Sequence, residues 1–374
     1  MKKLIVKFLV FVLPVLVVLL IPTIILRATG ENFKPIDQLS LSGAKYIIGY
    51  SNNENNYSYL KWHVAADGPK NTVMALGSSR VMEFRAKMFD VPFYNLGWAA
   101  TSLTHFQPFL ESLPEEKYPQ YLIIGLDQWY FNKNTDSLRD IPSKEKWKNS
   151  FTYFSQASIY RGIYSNLLHR KLKLSMLKQR DGVQRIGLNA VMNNVGFLND
   201  GSMYYGDELT KLLNGDPASF DYKFHLTYDR INSGNRKFEY GSTLNPEAFV
   251  ILERLLSYCK AHNIKVIAFL APFSDEIYHY MEQSGNYSYI PKIYPAIKPV
   301  FERYNSELYD FTTVSSVNSN DQEVVDGLHG GELTYLKLVI KMLEKGSELN
   351  KVTNLDRLRQ DATKPINRYT VYGI

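Results

Sequence analysis

Three residues in this chain could together activate a serine hydroxyl. Ser79 lies in a tight polar turn, residues 77–80, directly after the apolar run 73–76. Asp326 and His329 lie three residues apart in one later loop, which an amphipathic helical pattern follows. A serine nucleophile, an imidazole base and a carboxylate that orients the imidazole are the groups that acyl transfer requires. The sequence therefore predicts a nucleophilic serine site, with His329 as the base and Asp326 as the orienting acid.

Each part of this set has a simpler explanation when it stands alone. Two serines after a strand commonly cap a helix, and Ser78 is the alternative nucleophile. An aspartate three residues before a histidine is also found as a cap beside a surface histidine. The order of the two segments, and their positions beside regular elements, favour a working or ancestral triad.

Short apolar runs and helical patterns predict the elements that position these residues. Strands are predicted at 72–76, 93–96, 121–125, 265–270 and 308–311. Helices are predicted at 80–89, 102–113, 246–262, 292–304 and 332–345. Alternating strands and helices predict an α/β fold with a mostly parallel sheet that is covered on both faces. Active sites of such sheets lie at the carboxyl ends of the strands, where Ser79 is predicted.

The N-terminus carries an apolar run of membrane length. Lys2, Lys3 and Lys7 precede the uncharged residues 8–26. As a helix this run would measure about 28 Å, close to the ~30 Å hydrocarbon thickness of a bilayer. A cleaved signal peptide is the alternative, but its apolar region is normally shorter, and residues 26–28 make a poor cleavage site. We expect one retained transmembrane helix, with the lysines in the cytoplasm and the following domain outside.

These patterns divide the chain into four parts. Residues 1–30 are the cytoplasmic start and the anchor, and residues 31–70 are a polar stalk and lead-in. Residues 71–346 form the sheet domain, which a large insertion at about 129–243 interrupts. Residues 347–374 are a polar tail without a site signal.

The insertion contains a basic segment. Residues 139–185 hold eleven Lys or Arg against three Asp or Glu, and a helical pattern is predicted at 157–178. One interpretation is a helix packed on the domain with a solvated basic face. The other is a surface for a membrane, a membrane partner or an anionic glycan.

Composition excludes several other kinds of site. The net charge is +6, but four positive charges flank the apolar run and leave +2 for the remainder, too few for a nucleic-acid partner. The single cysteine, Cys259, lies in a buried helical pattern and is predicted to be a structural thiol. The chain has no HExxH, Walker or GxGxxG motif, so neither a metal nor another cofactor is expected.

The order of these motifs resembles that of the SGNH (GDSL-like) hydrolase superfamily. The first block of that family, Gly-Asp-Ser after the first strand, corresponds to residues 77–79. The second block, Asn-x-Gly-x-x-Gly, corresponds to Asn95, Gly97 and Ala100. The third block, Gly-x-Asn-Asp, is matched loosely by residues 125–128.

The fifth block of the family, Asp-x-x-His, is intact as Asp326 to His329. The resemblance covers about 71–128 and 244–346, but not the insertion. It implies a three-layer, flavodoxin-like SGNH fold with a catalytic serine, histidine and aspartate.

The resemblance also implies an oxyanion hole, with backbone N–H donors from Ser79 and Ala100. The family asparagine of the third block donates a further N–H, whereas Asp127 stands here and would repel an oxyanion when ionised. We expect Asp127 to form an ion pair with Arg80 at the rim of the site. The pocket is predicted to include six further positions: Ser78, Arg80, Asn95, Gly97, Asp127 and Gln128.

The Gly-Ser-Ser turn after a single anchor is similar to the membrane-tethered branch of this family. That branch includes the D-alanine transfer protein of teichoic-acid modification and the O-acetylation proteins of alginate. The likeness implies an extracytoplasmic acyltransferase or esterase for acyl groups, O-acetyl above all, of a cell-envelope polysaccharide, with a membrane-bound O-acyltransferase as partner. The alternative is an inactive SGNH-like scaffold that binds glycan or such a partner, and Asp127 favours this alternative.

Overall fold

The computed structural model describes residues 2–31, 44–135, 138–150, 157–177 and 182–374. Contacts divide the chain into two units. The first comprises Met1–Asn56, Ser150–Asn199 and Tyr204–Asp207, and the second comprises Tyr57–Asn149, Asp200–Met203 and Glu208–Ile374. The part of the predicted insertion that follows residue 207 therefore belongs to the same unit as the large sheet.

The regular elements of the described residues are nine strands and twelve α-helices. The strands are β1 (Tyr46–Ile48), β2 (Val73–Gly77), β3 (Phe93–Gly97), β4 (Tyr121–Leu126), β5 (Gln184–Ile186), β6 (Gly196–Phe197), β7 (Met203–Tyr204), β8 (Lys265–Leu270) and β9 (Glu307–Asp310). The helices are α1 (Lys2–Ala28), α2 (Tyr57–Asp67), α3 (Leu103–Ser112), α4 (Ala157–Leu168), α5 (Leu188–Asn193), α6 (Asp207–Leu213), α7 (His225–Ser233), α8 (Pro246–Ala261), α9 (Asp275–Ser284), α10 (Ile290–Arg303), α11 (Glu332–Glu344) and α12 (Leu355–Ala362).

A five-stranded sheet forms the centre of the second unit. Its strands are all parallel, in the order β3-β2-β4-β8-β9. Alternate side chains of a strand point to opposite faces, so Leu76 and Ile124 pack with α3, α8 and α10, whereas Ala75 and Ile123 pack with α11 and α12. The predicted α/β class and the parallel sheet with two covered faces are confirmed.

Local signals explain where the helices of this sheet begin and end. The Asn245 side chain accepts a hydrogen bond from the N–H of Glu247 and Pro246 occupies the first turn, so α8 starts where a capping residue and a proline predict. Gly346, with a φ of +87°, follows the end of α11. Cys259 is fully buried in α8, and burial raises the pKa of its thiol to about 12, which agrees with the predicted structural role.

The first unit contains the apolar helix and three strands, β1, β5 and β6, of a small sheet. Within α1, the 19-residue segment Val10–Ala28 is long and apolar enough to cross a membrane. Helix α4 packs beside α1, since Tyr160 Oη lies 2.8 Å from Thr23 Oγ1 and Tyr164 Oη donates to Val18 O at 2.5 Å. The sheet has the order β5-β1-β6-β7, with β1 parallel to β5 and antiparallel to β6.

Two predicted helices differ from the structure. The predicted helix 80–89 is replaced by two short 3₁₀ turns, Ser79–Val81 and Ala86–Met88, with Arg85 in an extended conformation between them. The apolar residues of this segment, Val81, Phe84 and Met88, pack against one face of the sheet without forming a helix. The predicted helix 157–178 ends at Leu168, because Arg170 adopts a φ of +55°, which cannot continue an α-helix; residue 178 lies outside the described residues.

Other regular structure lies where the sequence predicts none. Helix α2 falls in the predicted stalk, and helix α9 was not predicted from its mixed polar and aromatic sequence. The predicted polar tail contains α12, and Leu358 of this helix is fully buried against the second face of the sheet. This tail is therefore part of the folded unit.

Candidate functional site

The turn after β2 presents Ser79 and buries Ser78. The Oγ atom of Ser78 accepts a hydrogen bond from the N–H of Arg80 at 3.2 Å and caps the 3₁₀ turn, and Ser78 is 1% exposed. The Oγ atom of Ser79 lies 2.7 Å from Nε2 of His329. Ser78 thus has a structural partner, whereas Ser79 is the half-buried serine beside the histidine.

The carboxylate of Asp326 lies on the other side of the imidazole. Nδ1 of His329 is 2.9 Å from Oδ1 and 2.8 Å from Oδ2 of Asp326. The Oδ1 atom also accepts the N–H groups of Leu328 and His329, each at 2.8 Å. A carboxylate at Nδ1 favours the tautomer that carries its proton there, which leaves Nε2 free to accept the proton of Ser79.

The charge of Asp326 is maintained by its partners. Burial alone would raise the pKa of this carboxyl group, but the nearby imidazole of His329 and three hydrogen-bond donors more than offset that effect. The pKa of Asp326 is consequently lowered from its ordinary value. Asp326 is therefore an ionised acceptor at neutral pH, as an orienting residue must be.

A second aspartate, Asp221, holds the loop that carries His329. Its Oδ2 atom accepts the N–H of Gly327 at 3.3 Å and the hydroxyl of Thr227 at 2.6 Å. A Cβ atom on Gly327 would lie 2.7 Å from the Thr227 side chain, so a larger residue at position 327 would have to displace that side chain. The sequence did not reveal this support, because Asp221 lies in the predicted insertion and no local pattern relates it to residue 327.

The side chain of Arg80 joins three other loops to the serine turn. Its Nε atom donates to the carbonyl of Leu328 at 3.2 Å, next to His329. Nη1 donates to Oε1 of Gln128 at 2.8 Å, after β4, and Nη2 donates to the carbonyl of Ala271 at 2.7 Å, after β8. One planar guanidinium therefore links the ends of three strands to the loop of the histidine.

Asp127 supplies the negative charge beside this guanidinium. Its Oδ1 atom is 3.5 Å from Nη1 of Arg80, and both side chains are 1% exposed. Burial lowers the pKa of Arg80, and the charge of Asp127 opposes that shift. The expected ion pair is present, but it lies in the interior and not at the predicted rim. The rings of Trp129 and Phe273, whose centroids are 5.3 and 4.4 Å from Cζ of Arg80, help to bury the guanidinium.

Three more positions assigned to the pocket are interior instead. Asn95 is fully buried, and its Nδ2 donates to the carbonyls of Val81 at 2.8 Å and Phe84 at 3.0 Å. Its Oδ1 accepts the N–H of Gly97 at 2.8 Å. Gln128 is also fully buried, and its Nε2 donates to the carbonyl of Ala271. Ser78, the third of these positions, accepts the N–H of Arg80. These side chains hold the loops and do not line an open pocket.

Glycines at the ends of three adjacent strands make room for Val81. A Cβ atom on Gly77, Gly97 or Gly125 would lie 2.8, 3.0 or 2.4 Å from a methyl group of Val81. All three distances are shorter than ordinary van der Waals contact between carbon atoms. Gly97 therefore contributes close packing of the turn that carries Ser79.

The two predicted oxyanion donors have free N–H groups. Neither the N–H of Ser79 nor that of Ala100 donates to a residue within the described part of the chain. Ala100 does not adopt a positive φ, so its backbone conformation at this position requires no glycine. Trp98, which the sequence did not single out, has a φ of +75° and is 40% exposed just before this position.

Trp98 is an unusual residue at this place. A bulky side chain at positive φ is strained, and such strain clusters at functional sites. Its N–H donates to the carbonyl of Gly77 at 3.2 Å, which holds the loop beside the end of β2. The sequence does not indicate this conformation, because the residue at position 98 is neither glycine nor asparagine, the residues that commonly adopt a positive φ.

Comparison with models of known protein families and with curated proteins gave no match to this chain. Within the described residues, no group of three or more His, Cys, Asp or Glu side chains is placed to hold a metal ion. The assignment of chemistry to this site consequently depends on its own geometry.

Proposed function

We propose that this chain is a serine acyltransferase or esterase of the SGNH type. The observation that carries the proposal is the hydrogen-bonded series from Ser79 Oγ through the His329 imidazole to Asp326, with distances of 2.7 and 2.8 Å. The position of Ser79 after a central strand of a parallel sheet also supports it.

The proposed reaction has two steps. Nε2 of His329 takes the proton of Ser79 as Oγ attacks the acyl carbonyl carbon, and the same proton passes to the leaving oxygen when the acyl-serine forms. A hydroxyl of the acceptor, or water, then attacks the acyl-serine and gives its proton to His329, which passes it to Oγ of Ser79 as the bond between Oγ and the acyl carbon breaks. The N–H groups of Ser79 and Ala100 are proposed to bind the oxyanion, each contributing on the order of 3 kcal/mol.

The three-layer, flavodoxin-like SGNH architecture is part of this proposal. Five parallel strands with helices on both faces, and a strand order that reverses beside β2, support it. The departure at Asp127 is accommodated because Arg80 pairs with this carboxylate inside the protein. Side-chain stabilisation of the oxyanion by an asparagine is then absent at this position, which suits slow transfer to a specific acceptor.

A single-pass membrane protein with the site outside the cytoplasm is the proposed arrangement. The apolar segment Val10–Ala28 and the lysines before it support this topology. Anchoring would raise the effective concentration of the site near a membrane-bound O-acyltransferase that supplies the acyl group. The proposed acceptor is a cell-envelope polysaccharide that carries O-acetyl groups.

Hydrolysis of an activated acetyl ester by the purified full-length chain tests the proposed chemistry. We expect turnover of p-nitrophenyl acetate to be lost in Ser79→Ala. Ser78→Ala serves as the matched control and should retain at least a tenth of the rate, because removing a cap costs about 1 kcal/mol. No turnover by the native chain, or equal turnover by Ser79→Ala, would instead support the inactive scaffold.

A further inference from the structure

A cavity in the first unit lies outside the proposed site. Its volume is about 370 Å³, within the range of about 300–1,000 Å³ that is typical of small-molecule sites. Helices α4 and α5 form its walls together with Ser51 and Lys171. The cavity is thus large enough for a ligand of several heavy atoms.

The lining of this cavity is amphipathic. Three amides, from Asn166, Asn189 and Asn193, and the exposed cation of Lys171 supply polar groups. The side chains of Ile163 and Met192 lie among the apolar lining residues. This combination suits a ligand that has a polar, anionic part and an apolar part.

The cavity is located at the end of the apolar helix. Ile163 and Leu188, which line it, pack in one buried cluster with Ile25 and Leu26 of α1. These two residues are the last of the apolar run 8–26, where an anchor leaves the hydrocarbon. The cavity therefore lies where the headgroups of the surrounding lipids would be.

The surface beside the cavity has properties of a membrane-contacting segment. Leu168 and Leu174 are 80% and 69% exposed, and they flank a basic turn. Arg170, Lys171 and Lys173 of that turn are exposed. Exposed leucines beside exposed cations are typical of segments that bind anionic lipid surfaces.

We propose that this cavity binds the phosphodiester headgroup of an anionic membrane phospholipid. The phosphate accepts hydrogen bonds from Nζ of Lys171 and from the asparagine amides, and the acyl chains lie along α1. This inference rests on the proposed membrane anchoring, but it is independent of the proposed chemistry at Ser79. The site would select lipid by its headgroup and not merely by its chains.

Lipid retention by the full-length chain in mild detergent tests the proposal. Native mass spectrometry would compare phosphatidylglycerol with phosphatidylcholine of equal chain length. We expect preferential retention of phosphatidylglycerol and a loss of affinity of about tenfold or more in Lys171→Gln, as for removal of a hydrogen bond from a charged donor. Lys173→Gln, which removes an exposed cation outside the cavity lining, should remain within about twofold of the native affinity.

A second variant tests the cavity without changing charge. A Cβ atom on Gly162 would meet no other atom within 4 Å, so Gly162→Leu can fill the space with little strain. We expect it to abolish the preference for phosphatidylglycerol, whereas Ser165→Leu on an exposed position of the same helix should not. Glycerol phosphate without acyl chains should not displace the lipid.

The failures of the two proposals can be distinguished. Co-sedimentation of the variants with vesicles reports anchoring, and ester hydrolysis reports the serine site. Equal retention of both lipids, native affinity in both Lys171→Gln and Gly162→Leu, or displacement by glycerol phosphate at equal concentration would overturn the lipid site.

Discussion

The guanidinium of Arg80 determines how the residues around Ser79 are held together. It donates to three loops, and two nearby aromatic rings, those of Trp129 and Phe273, help to remove it from solvent. A buried cation requires a counter-charge, which Asp127 provides. We therefore predict that Arg80 is a positioning residue, which acts on the proposed reaction by holding the turn of Ser79 against the loop of His329.

Replacing Arg80 with lysine separates charge from geometry. Lysine keeps the positive charge beside Asp127 but cannot reach three acceptors with one planar group. We expect Arg80→Lys to reduce the rate constant for acylation of Ser79 by at least tenfold and to leave substrate affinity nearly unchanged. Stopped-flow measurement of the acylation burst would check this.

The matched control for this variant is Arg85→Lys. Arg85 is also buried, and it contacts Asp200 and Glu332 instead of the loop of His329. Its replacement should lower stability while the acylation rate stays within about threefold of native. Equal losses of rate in both variants would show that Arg80 acts only through general stability.

Asp326 gives the stability of the fold a pH dependence of known sign. Its pKa is lowered in the folded chain, so its ionised form stabilises the fold above the ordinary aspartate value of about 3.9. That contribution is lost as the pH falls through the lowered pKa. The stability difference between the native chain and Asp326→Asn should therefore shrink as the pH falls below about 4. Urea unfolding from pH 7 to pH 3 measures it, and a difference that stays constant to pH 3 would contradict this account.

At the scale of elements, the serine turn is fixed by the packing of Val81 on the strand ends. Gly77, Gly97 and Gly125 leave space for this side chain at the carboxyl edge of the sheet. The side chain of Asn95 donates hydrogen bonds to the carbonyls of Val81 and Phe84, which follow the turn. The turn is consequently positioned by three neighbouring strands, and not only by β2.

A double-mutant cycle between Gly125 and Val81 tests this arrangement. The added methyl group of Gly125→Ala would lie 2.4 Å from Cγ1 of Val81, so we expect a destabilisation of about 1–3 kcal/mol from overpacking and slower acylation of Ser79. In Val81→Ala the space is open, and adding Gly125→Ala should cost much less. The free energy of unfolding from urea titrations gives the coupling, and additive effects would contradict the packing account.

The sequence predicts the strands of the large sheet well, because both faces of each strand are buried. The strands of the large sheet differ from their predicted limits by at most one residue, because continuous apolar runs are required when both faces are covered. The predicted helix 80–89 is wrong, since side chain to backbone contacts from Asn95 replace helical hydrogen bonds. Helix α9 was not predicted because only Ile277 and Met281, one turn apart, form its buried face, and this pattern is short.

At the scale of the whole molecule, residues that are 250 positions apart meet through the order of the parallel strands. The sequence predicts this meeting because an open α/β sheet brings its strand ends to one edge. It does not predict the contact of Asp221 with the loop of His329, nor the interior position of Arg80, because both depend on contacts between loops that have no regular sequence pattern. The burial of Leu358 is likewise not predicted, because the residues around it in the tail are polar.

Activation of Ser79 by His329 is tested most directly by labelling the full-length chain in membranes with a fluorophosphonate probe, followed by peptide mapping. We expect a single modified residue, Ser79. We also expect Ser79→Ala and His329→Gln to abolish the label and Ser78→Ala to retain it. Unmodified Ser79 in the native chain, or native labelling in His329→Gln, would contradict the proposal that this serine is activated by the histidine beside it.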